Sequence, residues 1–186
     1  MIRWLFAIFA GVVLGGIVHL VSVLALPRVA SKDAYSRIVP ITNVNAVTQL
    51  PTVEPHNALL PFQDPALATA VCRYDLALGP IKFSVPVSQA YTSVSFYTRG
   101  EVAYYAINDR SAGRRIIELD LMTPEQRAEL PEEEDVTAAD RLIIESPTPT
   151  GLIVIKALAA EPDLMAQARA SLMAATCRPQ NDPAAR

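Results

Sequence analysis

The chain has 186 residues, a formal net charge of −3 and a pI near 5.4, with 51% hydrophobic and 19% charged residues. No basic patch rises out of this balance, which argues against a nucleic-acid partner. The two cysteines and two histidines lack the number and spacing of zinc ligands, so neither a metal nor a cofactor is expected.

The first element is an apolar run. From Trp4 to Leu26 there is no Asp, Glu, Lys or Arg, and His19 and Ser22 are its polar side chains. As a helix it spans roughly 34 Å, at about 1.5 Å per residue. That matches a hydrocarbon core of about 30 Å with a modest tilt. A cleavable signal has a shorter apolar core, about 7–15 residues, and a small-residue cleavage site. Here Pro27 follows closely after Val23-Leu24-Ala25 and should hinder cutting, and Arg28-Val29-Ala30 puts a bulky charge where a small residue is wanted. Residues 1–27 therefore read as an uncleaved signal-anchor in a lipid bilayer. Pro27 ends the helix, and Trp4 suits the opposite interface. Arg3 precedes the span while Arg28, Lys32 and Arg37 follow it, so local charge alone would place the larger part in the cytoplasm. Gly11 and Gly15 form a small-xxx-small pair, a candidate helix-packing face, although glycine is common in membrane helices anyway.

Residues 28–69 are a proline-rich lead-in. Pro40, Pro51, Pro55, Pro61 and Pro65 interrupt each candidate element, and Tyr35–Val44 alone keeps a strand-or-helix option. Leu59, Leu60, Phe62 and Leu67 need burial, so the segment is expected to wrap onto the domain. A short helical turn is expected at residues 65–70.

Residues 70–178 carry the strand signals. Residues 71–75 alternate briefly. Leu78-Gly79-Pro80 marks a turn, and Ile81–Val85 alternates with apolar side chains at odd positions until Pro86. Residues 91–97 are rich in β-formers, and Arg99-Gly100 is a hairpin signal before Val102–Ile107. Residues 108–113 read as a loop, and Arg115–Leu121 alternates again. Thr123-Pro124-Glu125-Gln126 predicts a short helix with a capping box. The acidic run Glu132–Asp135 reads as a solvated loop, since calcium ligands would be spaced through a turn. Arg141–Glu145 and Leu152–Ala157 are expected strands, joined by Ser146–Gly151 at hairpin length. Asp163–Thr176 is an expected amphipathic helix, with Leu164, Met165, Ala168, Leu172 and Met173 at helical spacing. Residues 179–186 read as a disordered tail.

Strands adjacent in sequence through short turns favour a mainly β fold. The expected architecture is an antiparallel β-sandwich or open barrel of about seven strands, with the N-terminal transmembrane helix and the C-terminal amphipathic helix, and no parallel sheet. Cys72 and Cys177 are either a disulfide or two buried thiols. An even pair downstream of an export-type anchor favours the bridge, which would close a loop of about 100 residues.

No nucleophile elbow, zinc-protease helix, P-loop or dinucleotide fingerprint occurs. His56 is the one histidine outside the span, and its loop position beside Pro55 suits surface decoration better than catalysis. Asp75, Asp109 and Asp120 sit at strand ends, where aspartate commonly caps or turns. Tyr91, Tyr97, Tyr104 and Tyr105 lie near Arg99, Arg110, Arg114 and Arg115 in sequence. Tyr97, Arg99 and Tyr104 are the candidate ligand-binding residues, set against plain cross-strand packing.

The segment from Arg73 to Pro86, RYDLALGPIKFSVP, with Tyr91–Tyr97 after it, resembles the bacterial family called domain of unknown function 1254. There a Tyr-Asp-aliphatic run leads through Gly-Pro to a strand ending in Val-Pro, and a Tyr/Ser-containing strand follows. The resemblance covers about Val44 to Leu121 and implies a β-sandwich-type domain with no established reaction. It also implies an exported domain, against the local charge count. Longer members carry a second, companion domain. This chain resembles a short membrane-anchored form whose companion would be a separate envelope protein. The expected role is a binding or assembly module for that partner at the bacterial inner membrane, with the C-terminal domain periplasmic. The alternative is a small-ligand-binding protein or enzyme with its site near the tyrosine and arginine strands.

Overall fold

The computed structural model describes residues 1–29, 33–54, 58–113, 115–130 and 142–180. Helix α1 runs Ile2–Val29, and its stretch Ile2–Leu26 is long and apolar enough to cross a membrane. Beyond it the described residues are mainly β. The strands are β1 (Val47–Gln49), β2 (Leu67–Asp75), β3 (Ile81–Pro86), β4 (Thr92–Thr98), β5 (Ala103–Asn108), β6 (Ile116–Met122), β7 (Leu142–Glu145), β8 (Thr150–Leu158) and β9 (Thr176–Pro179). They form one five-stranded sheet, ordered β1-β2-β8-β4-β5, and one four-stranded sheet, ordered β7-β6-β3-β9. Short helices α2 (Ala34–Ile38), α3 (Asp109–Ala112), α4 (Pro124–Ala128) and α5 (Met165–Met173) punctuate them.

The two-residue period decides which face each side chain takes. Even positions Cys72, Tyr74, Val94 and Phe96 of the first sheet meet odd positions Ile81, Phe83, Ile117 and Leu119 of the second. Phe83 and Phe96 touch edge to face across the gap, with centroids 6.4 Å apart at 76°, a geometry worth about 0.5–1.5 kcal/mol beyond area burial. A disulfide joins Cys72 on β2 to Cys177 on β9, so one covalent bond ties the two sheets together through the core. At the far ends of β2 and β8 the inward residues are Ala68, Ala70, Ala157 and Ala159, which leaves room for α5 to insert Ala168 and Leu172 between the sheets.

Several sequence expectations change. Residues 65–70 form no helical turn. β2 starts at Leu67, because Ala68 and Ala70 alternate inward and β2 pairs along its length with β8. Two strands escaped the reading, β1 and β9, each held by a single longer neighbour. Residues 109–112 are helical, capped by the Asn108 side chain accepting from the Ser111 N–H at 2.9 Å. Ser146–Gly151 is not a hairpin loop. β7 pairs with β6 and β8 with β2 and β4, so the segment crosses between sheets. The β6–β7 pair is parallel, and the chain between Met122 and Leu142 is long enough for the crossover that a parallel pair needs. The C-terminal helix is shorter than expected. A 3-10 turn at Pro162–Leu164 precedes α5, and Met165, Ala168 and Leu172 face the core while Leu164 and Met173 are exposed. The expected tail at 179–186 begins inside β9, and residues 181–186 lie outside the described ones. The capping box forms as read, with Thr123 and Gln126 exchanging side-chain-to-backbone hydrogen bonds.

The lead-in is built onto the domain. α2 and the residues after it cover the outer face of the five-stranded sheet, where Tyr35, Ile38 and Leu50 pack on Val71 and Leu152, joined by Leu59 and Leu60. Gly151 is closely covered by its neighbours. A Cβ there would collide with the Tyr97 carbonyl and with the Tyr74 hydroxyl. Gly151→Ala is therefore expected to destabilise the domain by about 1–3 kcal/mol or more. A urea unfolding curve with an unchanged midpoint would contradict this.

Candidate functional site

The sequence candidates fall into two separate places. Asp33 caps α2, and the Ser36 N–H donates to its carboxylate at 2.7 Å. That bond, the Ser36 side chain and Arg99 hold the Asp33 carboxyl below the usual carboxylate range, against the pull of burial. Arg99, near the β4–β5 turn, donates from Nη1 to Asp33 Oδ2 at 3.2 Å and lies 3.9 Å from the Tyr35 ring centroid. Glu101, at φ +63° in the same turn, accepts from the Tyr35 N–H at 2.9 Å. The turn thus clamps the lead-in, and Tyr97 packs beside it on the outer face.

Tyr104 goes the other way. The β4–β5 register passes from Phe96↔Tyr105 to Tyr97↔Ala103, which leaves Tyr104 as the extra residue of a bulge. Its ring lies 6.2 Å from Phe96 and its hydroxyl 3.1 Å from that of Tyr74. Tyr74 is fully buried. Its hydroxyl also lies 2.9 Å from Ser146 Oγ and donates to the Tyr97 carbonyl at 3.3 Å, and Ser146 Oγ donates to the Thr148 carbonyl at 2.6 Å. Burial pushes the Tyr104 phenol far above the ordinary tyrosine range, opposed by the hydrogen bond with Ser146 and reinforced by Tyr74. Tyr97 and Arg99 therefore share the outer face with the lead-in while Tyr104 points toward the core, and the three form no common surface.

The remaining candidates are quickly placed. Arg110 and Arg115 are exposed, and Tyr91 is partly so. Asp75 accepts from the Ala77 N–H at 3.0 Å and caps a 3-10 turn. Asp109 opens α3, and Asp120 is buried on β6. Gly11 and Gly15 face open space on α1. His56, Arg114 and Glu132–Asp135 lie outside the described residues.

The site that sequence reading missed is a cleft of about 500 Å³ between the edge strands β1 and β9. Asn45, Val47, Gln49, Leu172, Met173 and Arg178 line it. Its amides are already engaged. Asn45, at φ +54°, accepts from the Asp75 N–H at 2.8 Å and donates to the Asp75 carbonyl at 3.1 Å, and Gln49 donates to the Arg169 carbonyl at 2.6 Å. What remains for a visitor is the exposed Met173 thioether, the Arg178 cation and the backbone edges of two strands, each paired on one side only. Among the described residues, no group of three or more His, Cys, Asp or Glu side chains is placed to hold a metal. The cleft offers shape, apolar contact and backbone hydrogen bonds rather than acid–base chemistry. No local motif could have revealed it, because its two walls are about 130 residues apart.

The raised Tyr104 phenol has a measurable consequence. A tyrosine whose folded pKa exceeds its unfolded value of about 10 loses stability as pH rises through that value, because only the unfolded chain ionises there. Tyr104→Phe should remove this alkaline loss and leave the folded protein's phenolate absorbance near pH 10 unchanged. A drop in that absorbance would show that Tyr104 ionises in the fold.

The model of the family described as "Protein of unknown function (DUF1254)" matches residues 42–179. Among solved structures, the fold is similar to that of the VPA0106 protein from Vibrio parahaemolyticus. The TM-score is 0.59 at 14% identity, over 82% of this chain and 36% of that one. It is also similar to an uncharacterized protein from Burkholderia cenocepacia, with a TM-score of 0.47 at 15% identity, over 68% of this chain and 34% of that one. The first likeness shows the fold alone, and this chain spans about a third of the length of each. No curated protein matches the sequence. The matched span runs from before β1 to the last residue of β9 and so takes in both sheets, the disulfide and the cleft; the chain belongs to the DUF1254 family.

Proposed function

We propose that this is a single-pass inner-membrane protein whose β-domain stands in the periplasm as a binding module. It takes an extended segment of an envelope protein, one carrying the companion domain, into the cleft between β1 and β9. The observation that carries the reading is that cleft, bounded by two singly paired strand edges with Met173 exposed at its rim. Strand addition to an open edge gives affinity through main-chain hydrogen bonds, and adaptable side chains such as methionine accommodate the partner. The solved Vibrio parahaemolyticus chain that shares this fold is longer, and the match covers 36% of it, which supports a domain that works beside further structure. Two points of chemistry support the compartment. A core disulfide persists in an oxidising space, and a long domain translocates largely regardless of the Arg28, Lys32 and Arg37 that follow α1.

A photo-crosslinker at Met173 in intact cells should trap one discrete protein adduct, and the same group at Glu118, exposed on the outer face of the other sheet, should not. Equal or absent adducts at the two positions would sink the binding reading. Location is tested separately. In spheroplasts a membrane-impermeant maleimide should label an exposed cysteine introduced as E118C, while the buried Cys72–Cys177 bridge stays unreactive. Labelling of E118C that occurs only after lysis would place the domain in the cytoplasm.

A further inference from the structure

We infer that one end of the sandwich, the end carrying the β4–β5 turn, rests on the surface of the bilayer that α1 crosses, with Val102 and Leu78 entering the interfacial layer. The inference rests on the anchor reading of α1 and adds an orientation and a lipid contact to it.

Chain length sets the first limit. Leu26 closes the apolar stretch and Asp33 is already tied to Arg99. Six residues lie between them, and the seven steps from Leu26 to Asp33 reach at most about 25 Å, at roughly 3.3–3.6 Å per residue. The turn that clamps Asp33 and Tyr35 therefore stays within that distance of the membrane.

Strand register sets the second. Thr98 pairs with Gly151, and Gly151 pairs with Tyr74, so the β4–β5 turn lies at the same end of the sheet as the exit of β2. There β2 passes through the 3-10 turn Leu76–Leu78 into β3, and the Leu76 N–H donates to the Pro149 carbonyl at 2.8 Å. Two turns thus project from one end, and each carries a large apolar side chain in solvent, Val102 at 64% exposure and Leu78 at 61%. Phe62 is also exposed, but it lies on the loop that enters β2 at the opposite end.

Charge supplies the third. In the sequence Arg28, Lys32 and Arg37 follow the span closely, and the one carboxylate among residues 28–37, Asp33, is paired with Arg99. A cationic stretch of chain next to a membrane span complements anionic lipid headgroups.

The full chain reconstituted into phosphatidylethanolamine/phosphatidylglycerol vesicles tests this by quenching with brominated lipid. In a W4F background, which removes the one natural tryptophan, the indoles introduced by V102W and L78W should lose fluorescence and that of F62W should not. Adding R99A should reduce the loss at V102W, because the turn is no longer held to the tether. Equal quenching at all three positions, or quenching confined to F62W, would overturn the orientation. Quenching at V102W that R99A leaves unchanged would overturn the role of the clamp. The unsubstituted protein reports on the anchor by itself. If Trp4 is quenched while V102W and L78W are not, the lipid contact fails and the anchor stands; if Trp4 is not quenched, both fail.

Discussion

The five-stranded sheet is apolar on both faces where β2 meets β8, and the rest of the domain is arranged around that fact. Ala70, Val71 and Cys72 on β2, and Leu152 and Ile153 on β8, are buried in succession, which a half-exposed strand with a two-residue period does not do. The second sheet covers one face. Left in water, the other would expose Val71 and Leu152 together, each worth about 1.5–3 kcal/mol when fully buried. The lead-in supplies the missing layer through Tyr35, Ile38 and Leu50. Its prolines, which look like linker punctuation, shape a strap that follows the sheet. Arg99 and Glu101 then have a structural task, which is to hold the start of that strap.

This explains what was legible in the sequence and what was not. Strands whose faces differ announce themselves. Ile81, Phe83 and Val85 alternate with Lys82 and Ser84, and the structure follows the pattern. Local chemistry was equally readable at Thr123 and Gln126, where the capping box uses residues three apart. β1 and β9 were invisible because three or four residues carry no period of their own and become strands only against β2 and β3. The crossing at Ser146–Gly151 was misread for a different reason. Its length fits a hairpin, and only the buried Ser146 hydroxyl and the glycine beneath Tyr74 reveal a chain passing between layers. The family resemblance ended near Leu121, short of α5, the cleft and the second half of the disulfide.

The tyrosines show how a cluster in sequence can dissolve in space. Tyr97 and Tyr104 are seven residues apart across a turn, close enough to suggest one surface. A single bulge residue sends Tyr104 toward Tyr74 and Ser146, while Tyr97 stays with the strap. The Tyr104 hydroxyl is engaged with Tyr74, and a buried hydroxyl network of this kind fixes a geometry more readily than it binds a visitor. The strand edges that face the cleft, β1 and β9, are each paired on one side only.

In the proposed anchored arrangement the same layering limits how far the domain can reach from a membrane. Six residues lie between Leu26, which closes the apolar stretch, and Asp33, which is tied to Arg99. A longer tether would need the strap to peel away, and peeling breaks the Arg99 clamp and then opens the Val71–Leu152 face to water. Each successive residue released exposes more apolar surface, so the cost rises with distance rather than falling away as it would for a flexible linker. A domain held this way searches little volume. On the proposed reading, a partner that joins it lies close to the bilayer, and the cleft meets it only in the orientations that a tether of six residues allows.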